Sequence, residues 1–81
     1  MSKLIQKNII QKTPVVCGGN ARIRNTRIPV WTLVSFRQQG AGDEELLRNY
    51  PGLNQQDLEA TWLYYAQYPE EIDQVIADEN D

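Results

Sequence analysis

The sequence contains no histidine and only one cysteine, Cys17, among its 81 residues. A lone cysteine has no partner for a disulfide within the chain. Without histidine and further thiols, the usual ligands of a structural zinc site are also missing. We therefore expect neither a disulfide nor a bound metal. A single thiol without a disulfide framework fits a reducing compartment, so we expect a cytoplasmic protein.

The missing histidine also disfavours most enzymatic mechanisms. Histidine is the side chain whose unperturbed pKa lies nearest neutrality, and it is the usual general base. The sequence shows no nucleophile motif, no glycine-rich phosphate loop and no spacing of metal ligands. We therefore expect a protein that is not an enzyme and that binds no cofactor.

Long apolar runs are absent as well. No run approaches the roughly 18 to 20 residues of a membrane-spanning helix. Residues 1–12 contain lysines but no long apolar core and no small-residue cleavage site, so they do not predict a signal peptide. We expect no membrane partner.

The chain has room for one domain, which we place at residues 1–81. A domain of this size buries a smaller share of its surface than a larger one, so its core is marginal. Since small domains often gain stability by associating, we expect a homodimer.

Charge is divided unevenly along the chain, although the net charge is only −3. Residues 1–42 contain seven basic residues and no acid, whereas residues 49–81 contain eight acids and no base. This division predicts either two different surfaces or two halves that neutralise each other within the fold or in a dimer.

Most of the arginines lie in one short segment, GGNARIRNTRIPV, residues 18–30. Arg22, Arg24 and Arg27 alternate roughly with apolar residues, and Arg37 follows on the next predicted element. The segment is either an ordinary strand with a solvated polar face or a cationic contact surface. Such a surface would bind phosphates or the carboxylates of a partner.

Turn signals and short β-favouring runs predict a small β element or hairpin at residues 9–29. Val15–Cys17 and the piece Arg22–Arg24 are predicted as short extended segments, separated by turn residues, so we expect two or three strands. Pro29 cannot donate to a strand ladder, so the last strand should end before it.

A period of about 3.6 residues begins at Val30 and predicts three helices within residues 30–67. Glycines at 40 and 42 separate the first two, and the resulting helix pair has a helix-turn-helix pattern. Asn54 is predicted to cap the third helix in a capping box with Asp57. A fourth, C-terminal helix is predicted at residues 69–78, opened by a proline.

Large side chains at helical spacing predict the core and the interfaces of these helices. The buried stripe of the third helix is predicted as Leu58, Thr61, Trp62, Tyr65 and Ala66. The predicted core or interface positions are Trp31, Trp62, Tyr64, Tyr68, Ile72, Val75 and Ile76. Cys17 is predicted to be a small buried apolar residue.

The segment TRIPV at residues 26–30 and the turn YPGL at residues 50–53 resemble the small bacterial family known as domain of unknown function 433, DUF433. The resemblance extends from residue 9 to about residue 67. Where the family usually has glycine this chain has Asn25, and asparagine tolerates positive φ, so the bend should survive. The matching residues are Ile23, Thr26, Arg27, Ile28, Val30, Gly40, Glu44, Glu45, Tyr50, Pro51, Leu53, Asp57, Leu58 and Ala60.

This resemblance implies a mainly α fold, homeodomain-like or winged-helix-like, with a tri-helical core and a short N-terminal β element. It also implies a VapB-like antitoxin that sequesters a PIN-like nuclease toxin and represses its own operon through operator DNA. In such a fold the third helix would read DNA, and Gln55 and Gln56 are suited to adenine edges. That helix has no basic residue, however, and Asp57 and Glu59 would face phosphates.

Three functions therefore remain open. The first is a DNA-binding antitoxin that uses Arg22, Arg24, Arg27 and Arg37. The second is an antitoxin that binds only its toxin, through one of these arginines or through the bulk of the C-terminal helix. The third is a self-associating structural module without DNA binding, whose arginines are a solvated strand face.

Overall fold

The computed structural model describes residues 9–79, and this part of the chain is mainly helical. It contains four helices, one two-stranded antiparallel sheet and a 3₁₀ turn at Cys17–Gly19. The strands are β1 (Ile10–Gln11) and β2 (Arg22–Ile23), and the helices are α1 (Val30–Gln38), α2 (Asp43–Asn49), α3 (Gln55–Gln67) and α4 (Pro69–Glu79). Residues 1–8, for which we predicted no signal peptide, and residues 80–81 lie outside the described range. The predicted mainly α class with a short β element is confirmed.

The sheet is formed by two-residue strands on either side of the 3₁₀ turn. Ile10 pairs with Ile23 and Gln11 pairs with Arg22. Pro29 forms only an isolated bridge with Arg22, because proline has no N–H to extend the ladder. A pairing this short is marginal in water, and β1 gains support by packing against α3.

The predicted extended segment Val15–Cys17 is wrong. The N–H of Val16 donates to the carbonyl of Thr13 at 3.0 Å, and the N–H of Gly19 donates to the carbonyl of Val16 at 2.9 Å. Cys17 has a φ of 54°, which no strand residue adopts. The side chain of Val15 is 88% exposed, so it buries no apolar surface that would favour strand pairing. Cys17 itself is half-buried rather than buried.

Local signals set the boundaries of the helices. The N–H of Asp57 donates to Asn54 Oδ1 at 2.9 Å, and the N–H of Asn54 donates to Asp57 Oδ2 at 2.9 Å, which confirms the predicted capping box. Three acids occupy the first turn of α2, where they complement the helix dipole. Gly40 has a φ of 107°, which lets the chain reverse after α1 at little conformational cost.

The core lies where α1 packs against α3 and α4, with β2 buried beside it. The stripe of α3 differs from the prediction: Asp57 and Ala60 are buried, Trp62 and Tyr65 are half-buried, and Ala66 is exposed. Large rings that carry a polar group are seldom covered completely, which explains why Trp62 and Tyr65 are only half-buried. The buried apolar residues are Ile9, Ala21, Ile23, Val30, Leu33, Val34, Leu46, Leu53, Leu58, Ala60 and Ile72.

Within residues 9–79, no helix has both the length and the apolar character needed to cross a membrane.

Candidate functional site

Arg22 is an interior residue, only 7% exposed. Its Nη1 donates to the carbonyls of Arg24 and Thr26, the latter at 3.2 Å, and its Nη2 donates to Thr13 Oγ1 at 2.8 Å. The Nε is buried and finds no hydrogen-bond partner among the described residues. Arg22 therefore ties the loop at Thr13 to the turn after β2, and the expectation that it contributes to an exposed cationic surface is wrong.

Arg24 forms a bidentate ion pair with Asp57. Its Nε donates to Asp57 Oδ1 at 2.9 Å and its Nη2 donates to Asp57 Oδ2 at 2.7 Å, while Nη2 also bonds the carbonyl of Gly52 at 2.9 Å. Arg24 rather than Asn25 adopts the positive φ of this turn, at 44°, which corrects the sequence-based expectation. The ion pair offsets the cost of that backbone conformation.

Asp57 is an internal anchor and does not face a ligand. Its side chain is 1% exposed, so it would not meet DNA phosphates as we expected. The hydrogen bonds from Arg24 lower the pKa of the Asp57 carboxyl, and the bond from the Asn54 backbone lowers it further. The same ion pair raises the pKa of Arg24. The carboxylate therefore joins the β2 turn to the beginning of α3.

Arg37 belongs to a polar cluster around Asp43 that joins α1, α2 and α3. Its Nη1 pairs with Asp43 Oδ1, and its guanidinium lies 4.7 Å from the ring centroid of Trp62. Trp62 Nε1 donates to Asp43 Oδ1 at 3.2 Å, and Gln55 Nε2 donates to Asp43 Oδ2 at 3.0 Å. The bond from Gln55, followed by those from Arg37 and Trp62, lowers the pKa of Asp43. Arg37, Gln55 and Trp62, which were predicted to contact a ligand or partner, thus bond Asp43 within the chain.

A second cluster joins the segment after β1 to α3 and α4. Lys12 Nζ lies 3.0 Å from Glu71 Oε2, and the hydroxyl of Tyr64 donates to the same oxygen at 2.9 Å. Burial, followed by the bond to Glu71, raises the pKa of Tyr64. The ring of Tyr64 packs against the exposed ring of Tyr68, with centroids 4.8 Å apart. The basic and acidic halves of the chain therefore meet within the fold.

The C-terminal helix directs its apolar stripe inward. Ile72 is buried in the core, which is one of the two places predicted for it, so it is not accessible to a partner while the helix is packed. Val75 and Ile76 are half-buried, and Ile76 packs against the core. Contact between Ile72 and a partner would require α4 to leave the core.

Arg27 has a different environment from the other three predicted arginines. It is exposed, and its guanidinium makes no hydrogen bond or ion pair with any residue of the described range 9–79. It lines an open groove of about 440 Å³. We call this the Arg27 groove; its walls include Cys17, Asn20, Arg27, Pro29, Trp31 and Glu79.

The turns on both sides of the Arg27 groove are held by hydrogen bonds, from the backbone on one side and through the Thr26 hydroxyl on the other. The N–H of Asn20 donates to the carbonyl of Cys17 at 3.1 Å. On the other side, the N–H of Ile28 donates to Thr26 Oγ1 at 3.1 Å, and that hydroxyl donates to the carbonyl of Ile23 at 2.6 Å. Two walls of the groove are therefore held in place by bonds within the chain.

The Arg27 groove offers a guanidinium fork, an amide and a half-buried indole. A guanidinium binds carboxylates or phosphates in a bidentate manner, and an indole face accepts a cation or an apolar group. Glu79 was not predicted as a site residue, because it lies at the far end of the chain and no local pattern connects it to Arg27. Among the described residues, no group of three metal-ligating side chains is present.

Comparison with known proteins places this fold in a family. Residues 10–65 match the family described as "Protein of unknown function (DUF433)". The chain is also similar to a crystal structure of a DUF433 member protein from Anabaena variabilis, with 66% identity and a TM-score of 0.86 over 94% of this chain and 75% of the other. Among curated proteins, no sequence matches this chain. The chain therefore belongs to the DUF433 family.

Proposed function

We propose that the protein is the antitoxin of a bacterial toxin–antitoxin pair, and that it neutralises a PIN-like nuclease by direct contact at the Arg27 groove. The antitoxin role follows from the resemblance described above. The contact follows from one observation: Arg22, Arg24 and Arg37 are bonded within the fold, whereas Arg27 keeps its guanidinium available.

The chemistry of such a nuclease explains why an available arginine matters. Nucleases of this kind hold a divalent metal with carboxylates, and hard cations of this type prefer oxygen ligands. A guanidinium can bond one of those carboxylates through two parallel N–H groups. A carboxylate that is drawn toward Arg27 no longer serves the metal, and the nuclease loses activity.

Operator DNA is the less favoured ligand. In the tri-helical arrangement α3 would be the reading helix, with Gln55 and Gln56 at its start. Gln55 already donates to Asp43, and the exposed acid Glu59 lies on the same helix. Because phosphate contacts depend on available cations, an α3 surface without a basic residue is poorly suited to DNA.

Self-association without a toxin is the second candidate, and exposed apolar side chains favour it. Leu63 on α3 is 55% exposed, and Tyr68 and Phe36 are also exposed. A homodimer interface at these positions would cover apolar surface that the monomer exposes. Dimerisation is compatible with the antitoxin role as well, because none of these residues lines the Arg27 groove.

The central test is the affinity of the protein for the nuclease encoded beside it in the native host. We expect Arg27→Glu to weaken binding by at least about tenfold, because a hydrogen-bonded interfacial charge pair contributes more than 1.4 kcal/mol. The binding constant and the residual nuclease activity are measured by calorimetry and by RNA cleavage.

The matched control is Arg48→Glu. Arg48 is exposed, has no hydrogen bond or ion pair within residues 9–79, and lies outside the groove. We also expect Glu70→Gln to leave binding nearly unchanged. Equal losses for Arg27→Glu and Arg48→Glu would contradict the proposed contact. A parallel titration with the upstream DNA should show no salt-dependent binding at micromolar protein, and a steep salt slope would restore DNA as the ligand.

A further inference from the structure

The Arg27 groove contains a carboxylate as well as a guanidinium. Glu79, the last residue of α4, lines the same groove as Arg27. No ion pair joins the two side chains, and neither of them pairs with another residue of the described chain. Both charges therefore remain available to a ligand.

Because the groove contains one positive side chain, Arg27, and one negative side chain, Glu79, it disfavours a ligand whose charges all have the same sign. A phosphate or an isolated carboxylate that approaches Arg27 is repelled by Glu79, and this repulsion reduces the attraction of the guanidinium. A ligand that carries a cation next to its acid satisfies both groups. Trp31 lines the same groove, and the face of an indole ring attracts a cation.

We infer that the Arg27 groove binds a dipolar peptide segment, in which one acidic side chain pairs with Arg27 and a neighbouring Lys or Arg pairs with Glu79 and contacts Trp31. The inference rests on the proposed function, since it specifies the charge pattern of the partner surface at that contact. Because the turns beside the groove are held by hydrogen bonds, little ordering of the protein is needed on binding.

The experiment uses the full chain and three blocked hexapeptides. One contains Asp-Lys between Gly and Ser residues, one contains Asp alone, and one contains Lys alone. Binding is followed by the NMR signal of the Trp31 indole N–H. It is also followed by the rate at which maleimide labels Cys17, the only cysteine of the chain, which lines the groove. We expect the Asp-Lys peptide to bind about threefold or more tighter than the other two, as two exposed charge pairs allow.

The decisive variant is Glu79→Gln, with Asp78→Asn as its control. Both remove one negative charge from neighbouring positions, but Asp78 is outside the groove and bonds Gln74. Glu79→Gln should weaken the Asp-Lys peptide and strengthen the Asp peptide, each by about two- to threefold. Asp78→Asn should change neither.

Several results would overturn the inference. They are equal affinities for the three peptides, no binding of the Asp-Lys peptide at millimolar concentration, or the same response to Glu79→Gln and Asp78→Asn. The antitoxin proposal would survive those results if Arg27→Glu still weakened nuclease binding. Conversely, a dipolar preference in a protein that binds no nuclease would leave the peptide site intact and remove the antitoxin role.

Discussion

Each arginine of the segment 22–27 has its own environment, and the environment decides what the side chain can do. Arg22 is buried and bonds two carbonyls and a hydroxyl. Arg24 pairs with a buried carboxylate, and Arg27 is exposed in a groove. Substitution of Arg22 or Arg24 should therefore affect stability, whereas substitution of Arg27 should affect binding.

The Arg24–Asp57 pair leads to a prediction about stability. Removing one partner of a buried pair leaves the other charge uncompensated, at a cost of about 3–5 kcal/mol. Since the side chain of Arg24 is 39% exposed, we expect Asp57→Asn to lower the free energy of unfolding by about 3 kcal/mol, the lower end of that range. Urea unfolding followed by circular dichroism measures the change. Glu59→Gln, an exposed position on the same helix, serves as the control and should shift stability by less than about 0.5 kcal/mol.

The effect of Asp57→Asn should also depend on pH. The pKa of Asp57 in the folded protein lies below its ordinary value of 3.8, so ionisation of this carboxyl stabilises the fold above that pH. The contribution is lost as the pH falls through the lower folded-state pKa. The difference between wild type and variant should therefore be constant near neutrality and shrink in acid. A difference that stays the same down to pH 2 would exclude the ion pair as its cause.

At the scale of elements, short local signals define where each helix begins and how it reverses. The capping box at Asn54 opens α3, and Pro69 opens α4. Gly40 allows the reversal between α1 and α2 through its φ of 107°. The helices are then held together by side chains such as Asp43, which bonds groups from α1 and α3.

The Gly40 turn can be tested by substitution with alanine. A Cβ at Gly40 would meet nothing within 4 Å, so any cost comes from the positive φ alone. We expect Gly40→Ala to destabilise the fold by about 1–2 kcal/mol, the cost of a left-handed conformation for an L-residue. Gly52 also has open space but no positive φ, so Gly52→Ala should leave stability unchanged or raise it by up to about 1 kcal/mol. Equal thermal unfolding midpoints for Gly40→Ala and Gly52→Ala would contradict this prediction. They would show that the turn at residue 40 accommodates alanine without loss of stability.

At the scale of the whole molecule, three ion pairs join the basic N-terminal half to acids that follow it: Lys12–Glu71, Arg24–Asp57 and Arg37–Asp43. These pairs engage half of the basic residues of the described chain, and a further one, Arg22, is buried. The uncompensated surface of residues 9–79 is therefore mainly acidic, and Arg27 and Arg48 are its unpaired cations. We therefore expect a partner to bind through individual side chains rather than across a broad cationic surface.

The proposed homodimer is a property of the whole molecule and is tested by sedimentation. We expect the wild-type chain to sediment as a dimer and Leu63→Glu to shift it toward monomer, because burying a carboxylate in an apolar interface is unfavourable. Val15→Glu introduces the same charge at another exposed apolar position and should leave the dimer intact. A wild-type monomer at every concentration would contradict the dimer, and so would equal shifts by the two variants.

The sequence by itself determined the mainly helical class, the capping box and the turns at Gly40 and Pro69, because these features depend on residues within one or two helical turns. It also carried the family resemblance, whose motifs are contiguous. It did not determine the structure of Val15–Cys17, where β-favouring side chains form turns because Val15 finds no apolar surface to cover it.

The tertiary structure alone decided which arginines remain available. Arg24 meets Asp57, Arg37 meets Trp62, and Arg22 meets Thr13 only after the elements that carry them pack together. Charge spacing along the chain cannot reveal such pairings, because Coulomb and hydrogen-bond energies depend on distances between elements rather than on positions in the sequence. For the same reason, no local sequence pattern predicts that Glu79 lines the same groove as Arg27.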